Sequence, residues 1–78
     1  MEKLIKEIRE IINQNREHLE TLPIKDRDAW VLLCVANSPV FREAVPKSEG
    51  FLTEKDAVLG YIYTVSTLIK RLLKEEGL

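Results

Sequence analysis

Residues 57–69 read AVLGYIYTVSTLI, thirteen positions without a charge, inside a longer run, EKDAVLGYIYTVSTLIKRLLKEE, that spans 54–76. Val58, Tyr61, Ile62, Val65, Leu68, Ile69, Leu72 and Leu73 recur at three- and four-residue spacing. That is the period of a helix burying one stripe. Thr53-Glu54-Lys55-Asp56 in front of it is a capping-box variant with Asp at the fourth position, and Leu52 is placed to staple onto Ala57. Gly77 is a helix-stop residue. Lys70, Arg71 and Lys74 fall in the last turns, where they complement the helix dipole. The pattern predicts one helix over 54–76, about 30 Å long at 1.5 Å per residue.

The back of this helix is as informative as its stripe. At about 100° per residue, Gly60, Tyr63, Thr64 and Thr67 point roughly opposite to Val58, Tyr61, Ile62, Val65 and Ile69. A helix with one buried face ordinarily carries Lys or Glu there. Either a second protein surface meets this back, or the second helix or the 46–52 loop of the same chain covers it. Gly60 and the threonines would let a neighbouring helix approach closely, and Tyr63 is the kind of anchor enriched at interfaces.

Working towards the N-terminus, Ser38-Pro39 reads as an N-cap followed by proline at the first helical position, opening a short helix over about 39–45. Pro46-Lys47-Ser48-Glu49-Gly50 then reads as a loop. Before it, Ala29 to Phe41 is a second thirteen-residue stretch without a charge. Its body, residues 29–36, is apolar on every face and reads as a helix over about 27–37, N-capped by Asp26 or Asp28. Periodicity alone also allows a strand, but no second strand signal exists to pair with it.

The first segment, over about 2–21, is amphipathic. Leu4, Ile5, Ile8, Ile11, Ile12, Leu19 and Leu22 form its stripe, and Pro23 ends the helix near Leu22. Asn15 falls in the centre of that stripe. A buried Asn costs stability unless paired: either it pairs with its own copy across a two-fold axis, or it lies at a wet end of the bundle or bonds to a loop carbonyl. The fold expectation is all-α: one domain over 1–78, a small antiparallel bundle of two long helices (2–21 and 54–76) with two short ones (27–37 and 39–45) between them.

Composition limits what this bundle does. The chain of 78 residues is 45% apolar and 32% charged with net charge −1, globular and without a general attraction for nucleic acid or anionic membrane. Single domains of this size bury only roughly 60% of their unfolded surface, so association with a second chain is a natural supplement. One cysteine, Cys34, excludes an internal disulfide and fits a reducing compartment. The charged start, Met1 to Glu7, lacks a signal-peptide core, and thirteen uncharged residues are too few to cross a bilayer. The expected location is the cytoplasm.

Catalytic and metal-binding patterns are not found. His18 is the single histidine, at the margin of the first stripe, with no aligned partner in the sequence. Cys34 sits near the C-terminal end of its helix, where the dipole opposes a thiolate, and reads as a core residue. One Cys and one His cannot make a structural zinc site alone. Asp26-Arg27-Asp28 begins like a calcium loop but lacks the later glycine and glutamate. The three glycines are isolated, so no phosphate loop exists. As a DNA reader, the 39–45 segment has Arg42 as its sole cation, which disfavours nucleic acid.

The expectation is therefore a non-enzymatic protein-interaction or regulatory module without cofactor or metal. It would self-associate through uncharged helical faces, as a dimer first, or bind another protein. The candidate contact residues are Gly60, Tyr63, Thr64 and Thr67, with Trp30, Phe41 and Asn15 beside them. The alternative is a small-ligand-binding bundle whose pocket is lined by Trp30, Phe41, Phe51, Tyr61 and Tyr63.

Overall fold

A computed structural model describes residues 2–45 and 54–78. Five helices follow in order: α1 Glu2–Gln14, α2 Arg16–Thr21, α3 Ile24–Ala36, α4 Pro39–Glu43 and α5 Glu54–Glu75. No strand occurs among the described residues. The fold is the all-α bundle that the periodicities predict. The loop over 46–50, the Thr53 cap, the Leu52 staple and Phe51 lie outside the described residues.

The stripes become the core. Leu4, Ile8, Ile11, Ile12 and Leu19 from the first segment meet Val31 and Val35 from α3 and Val65, Leu68, Ile69, Leu72 and Leu73 from α5. α3 packs on both α1 and α5, which also touch each other, and α4 rests on α1. Fully burying an aliphatic side chain of this kind contributes about 1.5–3 kcal/mol. The outward faces of α3 and α5 take no part in that core.

Two boundaries differ most from the sequence expectation. The helix predicted over 2–21 is broken at Asn15, whose φ of −111° and ψ of 14° leave the helical range. Its main-chain N–H and its side-chain Nδ2 both donate to the Ile11 carbonyl, at 3.0 and 2.8 Å. Asn15 keeps its ladder bonds on both sides, with the Leu19 N–H donating to its carbonyl at 2.8 Å, so the interruption lies in its φ and ψ. The second correction concerns the start of α3. It begins at Ile24, with Pro23 rather than Asp26 or Asp28 at the N-cap position. Pro23 is extended, and its carbonyl accepts the first-turn bond from the Asp26 N–H at 2.9 Å. A carbonyl already fixed by the proline's restricted φ starts the helix without a side-chain cap.

The other ends follow their signals. The buried Ser38 accepts from the Val40 N–H at 3.2 Å, and Pro39 opens α4. α4 stops at Glu43, ahead of the predicted Val45, which Pro46 biases away from helical geometry. At the end of α5, Gly77 has φ +78°. The Leu78 N–H reaches the Leu73 carbonyl at 2.8 Å and the Gly77 N–H the Lys74 carbonyl at 3.1 Å. These two bonds make a Schellman ending, with Leu78 folding back on the core.

The tail of α5 is also held by arginines that the sequence pattern did not single out. Arg16 donates to the Glu76 carbonyl at 2.9 Å and pairs with its Oε2 at 2.8 Å. Arg27 bridges the Leu22 carbonyl (3.1 Å) and the main-chain oxygen of Leu78 (2.9 Å). Arg9 reaches Glu75 at 3.4 Å. Cations beside the negative end of a helix are favourable, and Arg16 and Arg27 also satisfy carbonyls there.

Candidate interaction surface

Among the described residues nothing covers the outward face of α5. Tyr63 is 75% exposed and Leu59 is 54% exposed, and Gly60, Thr64 and Thr67 are exposed beside them. α3 packs on α5 without covering this face; the 46–52 loop, the other possible cover, lies outside the described residues. The two threonines are polar in name more than in effect. Thr64 Oγ1 donates to the Gly60 carbonyl at 2.9 Å, and Thr67 Oγ1 to the Tyr63 carbonyl at 3.0 Å. With each hydroxyl turned into its own helix, no outside acceptor is needed for its proton.

Gly60 adds a second oddity. A methyl group built there would meet nothing within 4 Å. Glycine inside a helix costs about 0.5–1 kcal/mol relative to alanine, and no packing within the described part of the chain requires it. Between α5 and α1 runs a groove of about 400 Å³ lined by Ile5, Tyr63, Thr64, Thr67, Leu68 and Arg71. Leu59 is the member of this face that the sequence reading passed over. It falls outside the α5 stripe, so the helical period alone could have found it.

The remaining candidates lie elsewhere. Phe41 is in the core, 8% exposed, with its ring 5.0 Å from Tyr61 and its carbonyl accepting from the Tyr61 hydroxyl at 3.0 Å. Trp30 is half-buried under the exposed His18, with ring centroids 4.3 Å apart. Its indole Nε1 is buried and meets no acceptor among the described residues. Asn15 is half-buried between α1 and α2, and its Nδ2 donates to the Ile11 carbonyl. Among the described residues the aromatic side chains therefore divide into a His18–Trp30 pair, a Phe41–Tyr61 pair and the exposed Tyr63, and these do not converge on one pocket.

Two further apolar side chains stand out on α3: Ile24 is 76% exposed and Leu33 67%. Ile24 borders a cleft of about 480 Å³ with Leu73 and Leu78, rimmed by Lys25, Lys70 and Lys74. Asp28 in the same cleft sits 3.8 Å from Lys70. Burial pushes the Cys34 thiol and the Tyr61 hydroxyl above their ordinary pKa values. Cys34 is half-buried against the core. Among the described residues no three His, Cys, Asp or Glu side chains are grouped to hold a metal. No described helix is long and apolar enough to cross a membrane.

Comparison with known proteins gives no relative: no family model, no curated protein and no solved structure matches this chain.

Proposed function

We propose that this protein is a non-enzymatic interaction module that associates with a second copy of itself through the outward face of α5. Leu59, Gly60, Tyr63, Thr64 and Thr67 form the contact. The observation that carries the reading is Tyr63, three-quarters exposed in the middle of a thirteen-residue run without a charge. A tyrosine on bare helix surface loses little on leaving water and brings a large, rigid contact area. The internally bonded threonine hydroxyls and the unfilled space at Gly60 support the same face, since both favour close approach of another helix. The single half-buried cysteine suits a reducing compartment, and we place the protein in the cytoplasm on that ground.

The test is the mass in solution of Thr64→Lys and Thr67→Lys beside the unaltered chain. Both positions are exposed, so the fold, followed by circular dichroism, should persist while association is lost. Oligomers of full strength in both variants would remove α5 from the interface.

A further inference from the structure

The charges that flank the α5 face specify how a second copy must lie on it. On its outward side the exposed residues are Asp56, then Leu59, Gly60, Tyr63, Thr64 and Thr67, then Lys70, Arg71, Lys74 and Glu75; the exposed Lys55 lies about 100° round the helix from Asp56. Asp56 makes one end of this side acidic, three cations against Glu75 leave the other end net basic, and the middle is uncharged. Two such helices laid parallel would set acid against acid and base against base. Laid antiparallel, each acidic end meets the other copy's basic end.

From this pattern we infer a two-fold, antiparallel α5–α5 contact whose axis passes between Tyr63 and Thr64. This register rests on the self-association proposed above and fixes its geometry. Residues then pair by equal distance from the axis. Gly60 faces Thr67 of the second copy, within about 10° of the line where the helices approach most closely. Tyr63 meets Tyr63 on one side of that line, and Thr64 meets Thr64 on the other. Asp56 arrives level with Arg71, with Lys70 and Lys74 within about 5 Å of that level along the axis. A single patch contacting itself in this way is an isologous interface, which closes at two copies and does not grow further.

Size sets the strength. The strip from Asp56 to Lys74 is about 27 Å long and one helix wide, on the order of 300–500 Å² per copy. Stable interfaces bury roughly 800 Å² per partner, so the dimer is weak, half-formed at roughly 10–1000 µM. Asp56 also has an interaction within its own chain, and the basic residues complement the dipole of their own helix. Association and fold stability must therefore be read separately.

The experiment is sedimentation equilibrium on four proteins: unaltered, Asp56→Lys, the double variant R71E/K74E, and the triple variant carrying all three changes, each checked for helicity. The first two variants should dimerise about tenfold more weakly or worse, and the triple variant should recover most of the loss. Dimerisation unchanged in Asp56→Lys and in R71E/K74E overturns the antiparallel register while leaving self-association in place. So does loss in both without recovery in the triple variant. An unaltered chain that stays monomeric overturns the register together with the self-association it rests on.

Discussion

The two halves of α5 face solvent in opposite ways. Its last turns carry Lys70, Arg71 and Lys74 outward, while Arg9, Arg16 and Arg27 hold the carboxylates and main-chain oxygens beyond them. Three turns earlier the same helix presents Leu59, Gly60, Tyr63, Thr64 and Thr67, with the threonine hydroxyls turned inward. Both halves rest on the same core, through Val65 in one and Leu72 in the other. The tail is finished by contacts within the chain; on the middle, no described residue covers Tyr63 or Leu59. An outward helix face without charge has to be explained by its own chain or by another, and here the described chain supplies no cover.

The largest effect should separate the inside of α5 from its outside. Replacing the fully buried Leu72 by alanine should cost about 2–5 kcal/mol, read as a lower urea midpoint. Leu59→Ala, on the half-exposed side, should change stability by less than about 0.5 kcal/mol and weaken association instead. Comparable losses of stability from both would mean that the middle of α5 is covered after all.

Arg16→Ala comes next. It removes the 2.8 Å ion pair and the 2.9 Å bond to the Glu76 carbonyl, both partly screened by solvent, and should lower stability by about 1 kcal/mol. The loss should shrink as salt is added, and dimerisation should not change. An effect confined to dimerisation would reverse the roles given to the two halves.

Gly60→Ala should move two quantities in opposite directions. With nothing within 4 Å to obstruct the added methyl, the monomer should gain roughly 0.5–1 kcal/mol, measured at low concentration. Association should weaken, because the methyl stands where the second copy approaches most closely. Tighter association would take Gly60 out of the contact.

The sequence showed the interior of this molecule better than its joints. The stripes on the first and last segments predicted core membership from Leu4 to Leu73, because a helix repeats its buried face at a period that can be counted. Ser38-Pro39 and Gly77 marked helix ends because each acts within a few residues of itself. Asn15 allowed two readings from its place in the stripe, pairing across a two-fold axis or a local bond at a wet end, and its half-buried Nδ2 bonds locally to the Ile11 carbonyl. The start of α3 was missed because a proline carbonyl can open a helix without any capping side chain. The arginine contacts were out of reach for another reason. Arg16 meets Glu76 and Arg27 meets Leu78 through the tertiary fold alone, across 60 and 51 residues of sequence. The α5 face itself was readable as missing charge, and the helical period set Tyr63 opposite Tyr61, as their exposures of 75% and 8% bear out.

The smallest expected effect concerns protons. Burial raises the thiol of Cys34 and the hydroxyl of Tyr61, so the unfolded chain ionises first as pH rises. The native state then holds more protons, and stability falls with rising pH. The loss should begin near the unfolded values, at roughly pH 8.5–10, and saturate above the folded ones. Below that window both groups are neutral in either state and contribute no slope. Thiol labelling at mildly alkaline pH should be slow in the native protein and fast in urea. Equal rates would mean that Cys34 is not protected by the core.

Light scattering on the unaltered chain and on Tyr63→Ala, across a hundredfold concentration range, addresses the α5 face most directly. The expected result is a mass that climbs from one chain towards two for the unaltered protein and stays at one chain for Tyr63→Ala, with equal helicity in both. A mass of one chain at every concentration for the unaltered protein, or identical curves for the two, would contradict self-association through this face.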